Sequence, residues 1–354
     1  MAEIDPEALK QYSFAVWSYK QGEVVSALIH LGDRLGLFHA MAGVGPLDSH
    51  TLAESTGLHE RFVREWLNGV AAARLISRVD DTYDLSAEGA AVLADEEGAV
   101  TFSAGAFRGG FSPDTLDAIA DSFQTGIGIT YEQQGPNAAA GLARMTGPWT
   151  RHALVSTLLP RLDGVVDKLN GSARVVDIGC GAGVTTCTLA ESFPNSTVVG
   201  YDPSTTAVSQ AQELAASKGL DNIEFVAAGG EDVPADASAD LVLTFDCLHD
   251  MPRPDITMEA IRKTIKSDGS WVIKDIRSNG DWDRDKRNPL LAMFYGFSVT
   301  SCLQSAMSEP DGMGLGTLGL HETKAREMAA AAGFSQFTTH DIAEPANQYY
   351  EVKV

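Results

Sequence analysis

Basic residues are scarce. Against 48 Asp+Glu the 354-residue chain carries 26 Lys+Arg, a formal net charge of −22. So acidic a surface repels phosphate backbones and anionic headgroups, which argues against nucleic acid or membrane as a partner. Cysteine is scarce as well. Cys180, Cys187, Cys247 and Cys302 show neither CxxC spacing nor clustering with histidine, so neither a disulfide framework nor structural zinc is expected. No apolar run approaches the roughly 18 residues of a membrane span. The opening MAEIDPEALK lacks the basic-then-apolar order of a secretory signal, and a cytoplasmic protein with reduced thiols is expected. A GxxxxGK[ST] phosphate loop is also missing, which disfavours nucleoside triphosphate chemistry.

What is present divides the chain. Its length suits about two domains of roughly 150 residues each. The first hundred residues read as short helices. EVVSALIHLGDRLGLFHAM has helical apolar spacing, and TLAEST, Gly57 and HERFVREWLNGVAAARL spell helix, turn, helix. ISRVDDTYDLS then alternates around Asp80-Asp81 as a two-stranded wing would. A winged-helix domain is therefore expected over residues 1–105. That stretch carries 7 Lys+Arg against 16 Asp+Glu, so a scaffold or dimerisation role, with a homodimer as the expected assembly, outweighs DNA binding. Residues 106–170, with GAFRGGFSP and TGIGITYEQQGP, read as a helical linker.

From Arg174 the chain alternates strands and helices through RVVDIG, TVVGYD, IEFVA, DLVLTFD and GSWVIKDI. Such alternation predicts an α/β, Rossmann-like doubly wound parallel sheet over 171–354. FTTHDI and QYYEVKV predict an antiparallel pair at its edge.

VVDIGCGAGVTT sets Gly179, Gly181 and Gly183 between a strand and a helix, where backbone can approach a ligand without Cβ interference. Nineteen residues past Gly183, Asp202 ends TVVGYD, placed to accept from a ribose diol. Val184 stands where a dinucleotide site has a small residue, and Asp177 precedes the loop. A carboxylate there is awkward beside a pyrophosphate but suits an ammonium. S-adenosyl-L-methionine carries one, with a nicotinamide dinucleotide as the rival.

DIGCGAG, YDPS, GGEDVP, DLVLTFDCLHDM and GSWVIKDI, in that order, resemble the motif series of class I S-adenosylmethionine-dependent methyltransferases. AVWSYKQGEVVSALIHLGDRLGLF and GLHERFVREWLNG further resemble bacterial members with an N-terminal winged helix and ill-defined substrates. The resemblance implies that Asp177 and the three glycines hold the methionine end, Asp202 the ribose, and Gly230, Glu231 and Asp232 the adenine edge. Asp246 would face the methionine part or the substrate. Gly229 stands where many relatives have Asp, which weakens the adenine assignment. Glu231 and Asp232 could instead cap a following helix.

Methyl transfer to a small-molecule oxygen needs a proton acceptor, and His249, just past a strand's carboxyl end, is the leading base. Asp246 and Asp250 compete to orient it, adjacency counting against Asp250. The alternative for His249 is a packing or turn-capping role. A thiol acceptor would make the base dispensable; a cofactor-sensing regulator and a silent partner subunit are the rivals from other classes. Tyr12 and Tyr19, with Phe294 and Tyr295 in a lid insertion over 277–320, could wall the acceptor or simply pack. DWDRD at 281–285 reads as a solvated loop, and no metal is expected. His321 reads as the cap of a helix.

Overall fold

A computed structural model describes residues 4–98, 102–135 and 137–354. The chain divides into two compact units. One holds residues up to Phe111 together with Arg144–Trp149; the other holds Ser112–Ala143 and Thr150–Val354. Residues 106–170, expected as a linker, are thus shared between the units.

In the first unit a single helix runs Pro6–Arg34, where short helices were expected. Asp5 caps it by accepting from the Glu7 and Ala8 amides, and Pro6 presets the first turn. Its first half is exposed on every side, so no apolar stripe betrays it in sequence. Helices Ser49–Thr56 and Glu60–Ala72 follow, joined through left-handed Gly57. The wing is β1 (Ser77–Val79) against β2 (Thr82–Asp84), antiparallel around Asp80 at φ 52°. Phe38, Leu52, Trp66, Leu67 and Val70 form the core. Phe38 meets Trp66 edge-on at 5.0 Å. A Cβ on Gly32 would come within 2.4 Å of the Phe38 ring, so glycine lets the long helix lie on these aromatics.

The second unit is built on seven strands: β3 (Arg174–Ile178), β4 (Thr197–Asp202), β5 (Ile223–Ala227), β6 (Ala239–Phe245), β7 (Ile265–Ile276), β8 (Gln336–His340) and β9 (Asn347–Lys353). Their order is β5-β4-β3-β6-β7-β9-β8. The first five run parallel; β9 enters antiparallel between β7 and β8. The expected antiparallel edge pair is present, with the later strand lying inside. β3 and β6 are buried along almost their whole length and mostly apolar, as strands covered on both faces are. The chain turns one way from β3 through β4 to β5 and the other way from β6 to β7, leaving a crevice beyond the carboxyl ends of β3 and β6. No helix among the described residues is long and apolar enough to cross a membrane.

Candidate active site

The three glycines of the loop after β3 take positive φ, at 71°, 53° and 80°, and they differ in what they permit. A Cβ on Gly179 would lie 2.5 Å from that of Cys247, and one on Gly183 would lie 2.7 Å from that of Ala211. Packing therefore requires both. Nothing lies within 4 Å of the Cβ direction of Gly181, so its backbone edge faces open space, which is what close approach to a ligand requires.

Asp202 at the end of β4 stabilises this loop. Its Oδ2 accepts from the Gly181 amide and its Oδ1 from the Ser204 amide, both at 2.9 Å. A carboxylate has about four lone-pair positions, so each oxygen can still accept a ligand hydroxyl. Burial raises its pKa. Asp177, inside β3, is 2% exposed. Its carboxylate accepts from the Thr186 hydroxyl at 2.6 Å, and burial pushes its pKa up to about 7. A buried carboxylate this short of counter-charge fits the ammonium expected of its ligand.

Gly230 is buried, while Glu231 and Asp232 are exposed in a single helical turn, Gly230–Asp232. The chain continues extended into β6 and no helix follows. A helix-capping role for Glu231 and Asp232 is thereby overturned. The Glu231 carboxylate also fills the space a Cβ on Gly229 would need, at 2.3 Å.

Beyond β6 the backbone of Asp246 adopts φ 52°, a strained conformation for a residue with a Cβ. This turns the carboxylate toward β7 and β9, where it accepts from Lys274 Nζ and Asn347 Nδ2. Asp246 lies just past the carboxyl end of β6; as the carboxylate orienting His249 it is corrected, since Asp275 takes that place. Residues 248–250 form one helical turn, and this brings His249 between two other carboxylates. His249 Nδ1–H donates to Asp275 Oδ1 at 2.8 Å, while Nε2 lies 3.3 Å from Asp250 Oδ1. Asp250 Oδ2 accepts from the Tyr131 hydroxyl at 2.8 Å. The imidazole is 2% exposed and the two carboxylates are 1% and 8% exposed. Burial alone would lower the pKa of His249, but the combined field of Asp275 and Asp250 raises it well above the ordinary value.

Sequence reasoning missed Asp275 and Tyr131. Asp275 had a signal: Lys274 and Asp275 interrupt the buried run WVIKDI, and charges inside such a strand must have partners. Tyr131 had none, because its partner lies 119 residues away. Glu132 beside it accepts from the hydroxyls of Ser204 and Thr206, just past Asp202.

The insertion folds back on this loop. The Met313 amide donates to Pro252 O at 2.8 Å and the Gly316 amide to His249 O at 3.1 Å. Within it Phe294 is buried, and Tyr295 is 46% exposed beside Trp282. Tyr12 and Tyr19 belong to the other unit, exposed on the long helix. His321 caps the helix Glu322–Ala331 as expected, Nδ1 accepting from the Lys324 amide. In the first unit a cavity of about 350 Å³ is lined in part by Asp33, Glu96 and Arg144, the guanidinium pairing with each carboxylate at 2.8 Å.

Comparison with known proteins agrees with this fold. Residues 169–307 match the family described as a methyltransferase domain, and residues 23–95 match the Rv2258c-like winged helix-turn-helix domain. Among solved structures, a candidate O-methyltransferase from Nostoc punctiforme superposes with TM-score 0.71 at 19% identity, over 99% of either chain. The mitomycin 7-O-methyltransferase MmcR gives 0.68 at 20%, again over 99% of either chain. Human N-acetylserotonin methyltransferase, solved with S-adenosylmethionine, gives 0.67 at 17%, over 100% of this chain and 99% of its own. At such identities the likeness is one of fold. No curated protein matches the sequence.

Proposed function

Because the chain joins an Rv2258c-like winged helix-turn-helix domain to a methyltransferase domain, we propose that it methylates an oxygen of a small molecule from S-adenosyl-L-methionine, with His249 as general base. The observation that carries this reading is the Asp275–His249–Asp250 constellation beside the glycine loop. When bound, the cofactor supplies an electrophilic methyl group on a sulfonium. Asp177 and the Gly179–Gly183 loop would hold its methionine end, Asp202 its ribose, and the Gly230–Asp232 turn the adenine edge.

The protein's own work is positioning and proton management. Asp275 holds the proton on Nδ1, which leaves the Nε2 lone pair as the acceptor for the proton of the substrate hydroxyl. Asp250 faces Nε2 at 3.3 Å and stabilises the imidazolium that forms. The Tyr131 hydroxyl, which burial keeps un-ionised, fixes Asp250 in that place. The insertion pinned over residues 249–252 supports exclusion of water from the pair.

The buried Asp177 supplies the test. With its pKa near 7 it is largely neutral at pH 6 and mostly ionised at pH 7.5, a window in which the ligand's ammonium is still mostly charged. Affinity should rise across that window. Without ligand, the raised pKa stabilises the fold below the unfolded value of 3.8, and that contribution is lost as pH rises through about 7. Calorimetric titration with S-adenosylmethionine and with NAD at both pH values checks this. Tight binding of NAD alone removes the proposal, and a flat pH response, or one that survives Asp177→Asn, removes Asp177 from the site.

The wing and helices support a scaffold over a DNA reader. Arg61 pairs with Glu65, Arg64 with Glu60, and Arg78 with Asp81, so these cations are already matched by neighbouring acids. Tyr12, Phe14, Trp17 and Tyr19 are 68–77% exposed on the long helix, an apolar surface that supports a homodimer. Light scattering should return twice the 37.6 kDa chain mass, and Trp17→Glu should return the chain mass.

A further inference from the structure

Cys302 lies in the insertion, far from the other thiols in sequence, and the fold delivers it to the same pocket as His249 and Asp250. One ligand atom from each of these three lies within 4.8 Å of the others, and all three residues are buried. No other group of three or more such ligands stands out among the described residues. The imidazole's Nδ1 is committed to Asp275, so the atom turned to the cluster is Nε2. Asp250 uses Oδ2 for Tyr131, while its Oδ1, on a side chain nine-tenths buried, makes no hydrogen bond and faces His249 Nε2 at 3.3 Å. A buried carboxylate oxygen facing an imidazole nitrogen and a thiol needs a cation to meet it, which either the imidazolium or a metal ion can supply.

We propose that His249 Nε2, Asp250 Oδ1 and Cys302 Sγ form a binding site for a borderline-soft divalent cation of the Zn²⁺ class. One nitrogen, one oxygen and one sulfur donor make a three-ligand set, and this leaves the fourth tetrahedral position open. Asp275 supplies the outer carboxylate on Nδ1 that fixes the tautomer of a metal-binding histidine. Binding releases the Cys302 thiol proton to solvent, together with the Nε2 proton where the imidazole is charged, so a thiolate, a carboxylate and a neutral imidazole face the dication. Nothing in the sequence announces the site, because its ligands stand at positions 249, 250 and 302 with none of the spacing of a zinc motif.

The site stands without the methyltransferase reading, but it has a consequence for it. Nε2 can hold a proton or a metal ion and never both, so occupation by Zn²⁺ and action of His249 as a base exclude each other.

The test uses the full chain, stripped of metal, kept reduced with a phosphine and titrated with Co²⁺ at mildly alkaline pH. One Co²⁺ per chain should produce a thiolate-to-cobalt charge-transfer band in the near ultraviolet, displaced by Zn²⁺. Cys302→Ser should abolish the band and Cys247→Ser should retain it. Asp275→Asn should weaken Co²⁺ binding about 10- to 100-fold, as loss of an outer-shell partner does. Circular dichroism on each variant establishes that it folds. No band at saturating Co²⁺, or a band that survives Cys302→Ser, overturns the proposal. A Cys302-dependent band with methyl transfer indifferent to Zn²⁺ would uphold the site and count against His249 as the base.

Discussion

His249→Ala is expected to lower kcat for methyl transfer by about 10²- to 10⁴-fold, the usual worth of a positioned general base. Cofactor affinity should stay within a few-fold of wild type, because His249 lies beyond the glycine loop and is held by Asp275 and Asp250. The pH profile adds a second reading of the same residue. Flanked by two carboxylates, the imidazole keeps its proton above the ordinary histidine range, and only its neutral form accepts one. The rate should therefore climb with pH above about 6.5, and Asp275→Asn should move that rise to lower pH. Stability runs the opposite way: a raised pKa stabilises the fold below the unfolded value and loses that contribution as pH rises through the folded one. Single-turnover rates beside calorimetry separate the outcomes. Unchanged turnover in His249→Ala leaves the residue a packing role and favours a thiol acceptor.

Asp202→Ala should cost cofactor affinity rather than turnover of bound complex. The substitution orphans the Gly181 and Ser204 amides as well as removing the ribose acceptor. The orphaned amides cost stability of the free fold, whereas the lost bond from a ligand hydroxyl to the carboxylate, at about 1.5–3 kcal/mol for a charged acceptor, weakens binding by roughly 10- to 150-fold in Kd. The exposed Glu231 serves as the internal comparison, and Glu231→Ala should fall well short of that loss. Equal losses in the two variants would mean that Asp202 acts no more directly than a surface carboxylate.

The parallel sheet was legible because its signals are local. The strands β3, β4 and β6 are mostly apolar runs of five to seven residues that end at, or are followed directly by, Gly or Asp, and a crossover helix comes after each. The glycine loop and Asp202 were legible for the same reason. The active-site hydrogen bonds were harder, since a histidine's partner is chosen by strand register. β6 and β7 pair Phe245 with Lys274, which brings the ends holding Asp246 and Asp275 side by side. One reversed φ then sends Asp246 to Lys274 and leaves Asp275 for His249. Adjacency in sequence counted against Asp250, yet a single helical turn placed its Oδ1 3.3 Å from Nε2. The long first helix was missed for lack of an apolar stripe, and the capping role of Glu231 and Asp232 failed because the chain goes straight to a strand.

Tyr131 and Glu132 are consecutive residues that grip different parts of the site: one holds Asp250, facing the proposed base, the other the helix start beside Asp202, the proposed ribose carboxylate. One peptide unit thus belongs to the surroundings of both ligands. Ordering it is an entropic cost that either ligand can meet on arrival, and whichever comes second meets less of it. Cooperativity between cofactor and acceptor can therefore arise with no movement of the sheet, and by linkage each must favour the other by the same factor.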